Sequence, residues 1–367
     1  MSERTQIGRG VGLAAAAALA FGVTVPLLKL ASAGVGVFAC GSLLYLGAAV
    51  AAGLGIGVRR VRPLSLTLSP LARGEGTEGK AGGLALRPSV FARLLGLAAL
   101  GAVCAPALLV LGVKRTDAVT TSLLLTLEAP FTILLARLAF HEHVGRRAVA
   151  AAALIVTGAL LAAAPAGAAG SAGACALFVA GAMLLWALDN IVSRTLADRD
   201  PLAVVAWKGL LGGLLSAGAA AVAGEASPPV APALEIAGIG AIGYGVSLIC
   251  YLRAQALVGA ARTASVFAAA PFVGSAVALA LGAPWPGVAL GLAAALMVAG
   301  VWLHASERHG HRHRHEAVRH ELLHTHDDGH HTHVHDPMPS GPHSHEHQHD
   351  PLSHEHEHSE DLHHRHH

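Results

Sequence analysis

Ten long apolar runs determine what this chain can fold into. Each run is close to the ~20 residues that an α-helix needs to cross the hydrocarbon core of a bilayer. Only 13% of the residues are charged, against about 25% in an ordinary soluble domain, and most of them lie between the runs. The chain is therefore predicted to be an all-α membrane protein with ten transmembrane helices. The predicted spans are 10–30, 35–58, 93–113, 117–137, 146–165, 172–194, 201–223, 234–254, 261–281 and 286–304.

A sequence repeat relates the two halves of the chain. The tripeptide Ala-Pro-Phe at 129–131 recurs at 270–272, and a pattern that begins at Phe21 is echoed from Trp186. The two offsets, 141 and 165 residues, differ by 24, which fits one polar insertion near 62–87. Halves with an odd number of spans must insert in opposite orientations, and inverted repeats of this kind are typical of secondary transporters.

The repeat divides the chain into four parts. These are a cytoplasmic N-terminal tail at 1–9, a first five-helix repeat at 10–165 with a polar cytoplasmic loop at 59–92, a second five-helix repeat at 172–304, and a disordered, His-rich cytoplasmic tail at 305–367. Lysine and arginine set this orientation, because they concentrate in cytoplasmic loops. Lys114 and Arg115 are the basic residues of the predicted outer loops, with Lys29 near that face.

Three ionisable side chains lie inside predicted spans. Glu128 is near the middle of the fourth span, where an ionised carboxylate costs about 2.5–3.5 kcal/mol on insertion scales. It either binds and releases a proton during transport or is a neutral carboxyl that helps to position a kink at Pro130. Asp189 and Lys208 flank one connection at equal distance, so a helical hairpin places them at similar depth. They are predicted to pair, as a structural lock or as a gate or substrate contact.

Prolines and aromatic residues give weaker signals. Pro130 and Pro271 occupy equivalent positions in the fourth and ninth spans, and interrupted helices in matching positions indicate a transporter's binding site; a kink that serves only packing is the alternative. Trp186 is a candidate for lining a cavity, although an interfacial aromatic belt is the more ordinary interpretation. Asn190 is expected to add a hydrogen bond beside Asp189.

The C-terminal tail is the second major signal. Of 25 histidines, all but His141, His143 and His304 lie within it. Few apolar residues interrupt them, so the tail is predicted to be disordered. Neutral imidazole binds zinc, nickel, copper and cobalt, and many subsets of these side chains would serve. The predicted metal ligands are His309, His311, His313, His315, His330, His331, His333, His335, His343, His345, His347, His349, His354, His356 and His358.

Several motifs together resemble one known family. They are the segment 123–131, the following 140–143, and Leu-Trp-Ala-Leu at 185–188 with Ser193 and Arg194. Over about four fifths of its length the chain is similar to EamA-type carriers of the drug/metabolite transporter superfamily. The sequence departs from the family's pattern at His141 and His143, and Ala269 stands opposite Glu128 in the second repeat.

The resemblance implies a ten-helix carrier with both termini inside the cell, in a bacterial inner membrane, that moves small organic solutes, usually outward. It also implies that Glu128, Pro130 and Pro271 border a central cavity. The tail would then be a metal buffer, a regulatory segment or a pH-responsive polycation. Two alternatives stay open. One is an exporter of nickel, cobalt or zinc whose tail captures the metal, and the other is a membrane-anchored metal-storage protein.

The sequence gives no sign of catalysis. It has no P-loop motif for nucleotide hydrolysis, and its basic residues are dispersed without a nucleic-acid-binding motif. We therefore expect a protein that is not an enzyme, requires no cofactor and binds no nucleic acid. The expected partners are the lipid bilayer, a small-molecule substrate and divalent transition metals, and a homodimer is one open arrangement.

Overall fold

A computed structural model gives the architecture of the chain. It describes residues 3–61, 95–96, 98–140, 144–164, 171–193, 201–285 and 287–305, together with the tail segments 310–314, 319–324, 343–348 and 353–357. Most of the predicted polar loop lies outside the described residues. So do His141 and His143 and, among the predicted metal ligands, His309, His315, His330, His331, His333, His335, His349 and His358.

The first five spans come from the first half of the chain, and three of them comprise more than one helical segment. Span 1 comprises α1 (Glu3–Gly22) and α2 (Thr24–Ala31); span 2 is α3 (Val37–Val61); span 3 is a π-helical segment (Ala98–Cys104) followed by α4 (Ala105–Arg115); span 4 comprises α5 (Ala118–Leu124), a 3₁₀ turn (Leu125–Leu127) and α6 (Glu128–Phe140); span 5 is α7 (Arg146–Ala163).

The second half repeats this pattern, except that span 6 is one continuous helix whereas span 1 has two segments. Span 6 is α8 (Ser171–Ser193); span 7 is α9 (Pro201–Val222); span 8 comprises α10 (Val230–Gly240), a π-helical segment (Ala241–Val246) and α11 (Ser247–Val258); span 9 comprises α12 (Ala260–Phe267) and α13 (Ala270–Ala280); span 10 is α14 (Val288–Ala305). Spans 3 and 8 thus carry π-helical segments in matching positions, and spans 4 and 9 are both interrupted. Gly259, with φ +84°, permits the sharp turn from α11 to α12.

The ten spans of the structure agree with the ten predicted spans. Within the described residues, nine are long and apolar enough to cross a bilayer, and a shorter apolar helix, Cys175–Ile191, corresponds to the sixth predicted span. Helix α1 begins at Glu3, before the predicted start at residue 10, and α3 continues to Val61, into the predicted loop. Both differences arise because a helix can continue beyond the apolar run while its backbone hydrogen bonds are kept.

The halves pack as an inverted repeat. Span 1 packs against spans 8 and 9 of the second half, and span 6 packs in the equivalent way against spans 3 and 4 of the first half. Spans 2 and 7 form one extensive pair, and spans 5 and 10 form another. The first span of each half therefore packs against the other half. This is the arrangement expected around a pseudo-twofold axis.

The glycine contacts between spans 5 and 10 show the same symmetry in atomic detail. A Cβ atom at Gly158 of span 5 would lie 2.8 Å from the carbonyl oxygen of Ala293, and one at Gly300 of span 10 would lie 2.8 Å from that of Ala151. The two glycines and the two alanines are each separated by 142 positions. Small residues let membrane helices approach closely. Spans 5 and 10 therefore each contribute an equivalent glycine and alanine to the point where they cross.

The described part of the tail forms four short strands. β1 (Gly310–Arg314) pairs antiparallel with β4 (Ser353–Glu357), and β2 (Arg319–His324) pairs antiparallel with β3 (His343–Gln348). In this register His311 lies opposite His356, and His320 lies opposite His347. The disorder predicted for the tail stays a prediction. The alternation of histidine with other residues has the two-residue period of a strand.

Candidate functional site

The interruptions in spans 4 and 9 lie just before equivalent prolines. Pro130 is the third residue of α6 and Pro271 the second of α13, and both are buried. The amide groups of a helix's first turn have no intrahelical acceptor, so proline loses no hydrogen bond there. Each proline therefore begins a new helical half instead of removing a bond from a continuous helix.

Glu128 is the first residue of α6, at the interruption of span 4. Its Oε1 accepts a hydrogen bond of 2.6 Å from Asn190 Nδ2 on span 6. Glu128 is half-buried, whereas Asn190 is exposed even though it lies on a membrane span and reaches the carboxylate of another. This hydrogen bond joins the interruption of span 4 to span 6.

Asp189 and Lys208 form an ion pair between spans 6 and 7. Lys208 Nζ donates to Asp189 Oδ2, and the side chains are 18% and 3% exposed. The predicted pairing is thus present. Asp189 packs so closely on span 3 that a Cβ atom at Gly101 would lie 2.6 Å from Oδ1. Oδ1 is buried without a hydrogen-bond partner. Glu128, Asn190, Asp189 and Lys208 are called the central site below.

The π-helical segment of span 3 supplies backbone acceptors next to the central site. The carbonyl oxygen of Gly101 accepts hydrogen bonds from Tyr45 Oη, at 2.6 Å, and from Trp186 Nε1, at 2.8 Å. Ser216 Oγ donates to the carbonyl oxygen of Ala102 at 3.2 Å. A π-helical turn widens the helix and disturbs its regular ladder, so side chains of spans 2, 6 and 7 can bond to this backbone.

Aromatic side chains of both halves meet beside this region. The aromatic cluster consists of Phe21, Tyr45, Trp186, Tyr244, Tyr251 and Phe267. The Phe21 ring centroid lies 6.4 Å from that of Trp186, 6.0 Å from that of Tyr244 and 5.5 Å from that of Phe267. Phe21 and Trp186 occupy equivalent positions of the repeat, so their contact lies where the two halves meet.

A set of polar contacts closes one end of the bundle. Lys29 Nζ donates to the carbonyl oxygens of Val113, Lys114 and Thr116 at 2.6, 3.2 and 2.9 Å, so it caps the end of α4. Lys114 Nζ in turn donates to the carbonyl oxygen of Val35.

Glu225 completes this closure at the start of α3. Its carboxylate oxygens accept hydrogen bonds from the backbone N–H groups of Phe38, at 3.1 Å, and Ala39, at 2.9 Å. We call Lys29, Lys114 and Glu225 the Lys29 seal. Its contacts join spans 1, 2 and 3 to the connection after span 7.

The two ends of the bundle differ in packing. At the Lys29 end, α5 packs against α13, and α2 packs against α4, α5, α10 and α13. The opposite halves of spans 4 and 9, α6 and α12, form no comparable interface among the described helices. All residues of α5 and of the following 3₁₀ turn are buried, whereas most of α6 is half-buried or exposed. Among the described residues, spans 4 and 9 therefore pack together at the Lys29 end and not at the other end.

Comparison with known proteins agrees with this architecture. The model of the EamA-like transporter family matches residues 8–164 and 173–306. The chain belongs to the EamA-like transporter family. A solved structure described as "Crystal structure of protein" is similar to it in fold, with a TM-score of 0.55 and 18% identity over 83% of this chain and 99% of that one. No curated protein matches the chain.

Membership in the EamA-like transporter family explains the two matched halves. Each match covers one set of five spans, so the predicted repeats and the resemblance are confirmed. The chain is an integral membrane protein and a membrane transporter of small solutes, which is what members of this family are.

The structure brings most of the predicted site residues together. Glu128, Asn190, Asp189 and Lys208 form the central site, and Pro130 follows Glu128 by two positions. Pro271 lies at the start of α13, where its carbonyl oxygen accepts a hydrogen bond of 3.0 Å from Ser275 Oγ. A common cavity bordered by both prolines stays a prediction.

The interfacial interpretation of Trp186 is wrong. Its side chain is 8% exposed and bonds to Gly101 inside the bundle, within the aromatic cluster. Sequence reasoning also missed Tyr45, Tyr244 and Tyr251, which are all the tyrosines of the chain. Their position inside apolar runs was the available signal, because a tyrosine hydroxyl in the membrane core usually has a polar partner.

Proposed function

We propose that the protein is a secondary transporter that exports a small organic solute by alternating access. The observation that carries this proposal is a polar central site between inverted repeats, with spans 4 and 9 packed together at the Lys29 end but not, among the described residues, at the other. Alternating access requires the two repeats to exchange these roles around a fixed site. Equivalent crossings such as Gly158 with Ala293 and Gly300 with Ala151 suit such an exchange, because each interface has a counterpart.

We assign the Lys29 end to the outside of a bacterial inner membrane. Lysine and arginine favour the cytoplasmic ends of spans, and Arg137, Arg146, Arg147, Arg253 and Arg262 belong to the opposite end. This orientation puts both termini in the cytoplasm. In this proposal the conformation is open to the cytoplasm, as expected for an exporter that waits for its substrate.

The tail binds divalent transition metals in this proposal, as a buffer or a regulatory segment. The alternative, export of a metal ion, would require ligands along the membrane path. Among the residues that the structure describes, histidine, cysteine and carboxylate side chains form no group of three that could hold a metal ion. The alternative of metal export therefore depends on the tail.

Transport by the purified protein in proteoliposomes tests the proposal. A panel of small organic solutes and divalent metals is offered with an imposed proton gradient. We expect gradient-driven movement of an organic solute, and we expect Glu128→Gln to abolish the coupling while insertion and unfolding temperature are kept.

The matched control is Glu235→Gln, which neutralises an exposed carboxylate on another membrane span. Coupled transport that survives in Glu128→Gln would remove Glu128 from the mechanism. Movement of metal ions but of no organic solute would favour the alternative function.

A further inference from the structure

We propose that the end of α4 is a binding site for a monovalent cation of the size of ammonium or K⁺, and that Lys29 fills it with a tethered ammonium group. The site consists of the backbone carbonyl oxygens of Val113, Lys114 and Thr116, and we call it the α4 site. The proposal goes beyond solute transport, because it concerns which ion holds the Lys29 end of the bundle together. It does not depend on what the central site carries.

The backbone at the end of α4 makes these oxygens available. The N–H group of Thr116 still donates to the carbonyl oxygen of Gly112, at 2.8 Å, and the chain then leaves the helix with extended dihedral angles at Thr116, φ −119° and ψ 159°. The carbonyl groups after Gly112 therefore have no further helical turn to supply an N–H group. They also lie at the negative end of the helix dipole, so this position attracts a cation.

The Lys29 ammonium is coordinated in the way that a free cation would be. Its Nζ atom lies 2.6 Å from the oxygen of Val113, 3.2 Å from that of Lys114 and 2.9 Å from that of Thr116. An ammonium group has three N–H donors and no acceptor, so the three carbonyl oxygens match it in number. Backbone carbonyls of unwound segments and helix ends bind Na⁺ in transporters, and carbonyl oxygens replace the hydration shell of K⁺ in channels.

Lys114, the other lysine of the Lys29 seal, makes a different kind of contact. Among the residues that the structure describes, its Nζ donates to one carbonyl oxygen, that of Val35. Removing the Lys114 side chain therefore takes away one hydrogen bond, whereas removing that of Lys29 leaves three oxygens that converge on one point. Carbonyl dipoles that face one another repel, so this arrangement requires a positive charge between them.

Thr116 and Asp117 add two features that favour a cation. The Oγ1 atom of Thr116 is buried without a hydrogen-bond partner, and such an atom costs free energy. Because a hydroxyl oxygen carries lone pairs, a cation without a tether has a fourth oxygen available in this residue. Asp117 follows in the chain, where its carboxylate accepts a hydrogen bond of 2.8 Å from the N–H group of Thr120. A negative charge is therefore fixed beside Thr116.

A tethered ammonium makes closure of this end independent of the dissolved cations. The wild-type protein needs no ion from solution at the α4 site, because Lys29 supplies the charge. Lys29→Ala removes the ammonium but keeps the three carbonyl oxygens, and it leaves space that a small cation can fill. Lys29→Met also removes the charge, but its long apolar side chain occupies that space. The two variants therefore separate loss of the ammonium from availability of the site.

Unfolding temperatures of the full-length protein in detergent test the α4 site. The wild type, Lys29→Ala, Lys29→Met and Lys114→Ala are measured in the chlorides of ammonium, potassium, sodium and choline at equal ionic strength. We expect ammonium and potassium to raise the unfolding temperature of Lys29→Ala above its value in choline. The rise should saturate, and it should reach roughly 2–6 °C at about ten times the dissociation constant. The wild type, Lys29→Met and Lys114→Ala should respond to all four salts alike.

Each other outcome has a definite meaning. If Lys29→Ala does not fold in any of the salts, Lys29→Ser, which leaves nearly the same space, is measured in its place and the same result is expected. An equal response of the small-residue variant to choline, a preference for sodium, or an equal cation preference in Lys29→Met or in the wild type would each overturn the proposal. No transport is measured, so this result is separate from that of the proteoliposome experiment.

Discussion

The ion pair between Asp189 and Lys208 couples two spans through charges that are costly to separate. Asp189 is 3% exposed, so without Lys208 its carboxylate would be a lone charge in an apolar bundle. Breaking a buried pair by removing one partner typically costs about 3–5 kcal/mol, whereas removing both partners costs much less. We therefore predict that the pair is a structural lock between spans 6 and 7.

A double-mutant cycle tests this lock. We expect Lys208→Met and Asp189→Asn each to lower the unfolding temperature more than the double variant does, because the double variant leaves no unpaired charge. Unfolding in detergent at fixed pH measures the three variants. Strictly additive losses would show that the two charges are independent.

The carboxylate of Asp189 also leaves no room for a side chain at Gly101. A Cβ atom there would lie 2.6–2.7 Å from both Asp189 oxygens. This is closer than a non-bonded carbon and oxygen atom normally approach. We expect Gly101→Ala to destabilise the protein by about 1–3 kcal/mol, the usual cost of overpacking. Gly53→Ala is the control, because nothing lies within 4 Å of its Cβ position. Equal unfolding temperatures of the two variants would contradict the observed packing.

The sequence predicted the partners of this site better than its surroundings. Asp189 and Lys208 could be paired from their equal distance to one connection, because a hairpin has a fixed geometry. Gly101 could not be found in this way, since its contact with Asp189 depends on how span 3 packs against span 6. Trp186 was misjudged for a related reason. An indole N–H group bonds equally well to interfacial water or to a backbone carbonyl, and the carbonyl is exposed by a π-helical turn that carries no clear sequence signal.

At the scale of elements, the broken spans divide the bundle into two functional ends. The Lys29-end halves of spans 4 and 9 pack together, whereas in the part of the chain that the structure describes the opposite halves form no equivalent interface. The repeat made both interruptions predictable from Pro130 and Pro271. The difference between the ends was not predictable, because one sequence must support both closures in an alternating-access cycle. It becomes visible only in a particular conformation.

Opening of the Lys29 seal gives an element-scale prediction. Lys29 caps three carbonyl groups at the end of α4, so Lys29→Met leaves this end without its donor and favours opening. We expect a cysteine at Ser122, which is buried in α5, to react several times faster with a membrane-impermeant maleimide added from outside when Lys29 is replaced. A background without Cys40, Cys104, Cys175 and Cys250 is needed.

The Glu235→Gln substitution in the same background is the control for this experiment, because it changes a charge outside the seal. An unchanged labelling rate in Lys29→Met would show that the seal does not hold this end closed. Faster labelling from the cytoplasmic side alone would reverse the orientation assigned to the bundle.

At the scale of the whole molecule, the chain combines two chemically different units. The bundle carries few charged groups, and its central site is built from carboxylates, an ammonium and an amide. The tail is rich in imidazole, which is a ligand for transition metals. Because the ligand chemistry is divided in this way, solute transport and metal binding should be separable by removing one unit.

Deletion of 309–367 tests this separation. An organic-solute transporter should keep its basal transport and lose only its response to metal, because the deletion removes no span. Titration of nickel or zinc into the full-length and truncated proteins should show several weak sites in the former and their loss in the latter. The affinity of these sites should fall as the pH decreases below about 6.5, because protonated imidazole cannot bind a metal. A full-length variant with the tail histidines replaced by glutamine controls for chain length. A metal exporter that relies on capture would instead lose efflux at low metal concentration in both variants and keep some at high concentration, since capture raises the local concentration without forming the pathway.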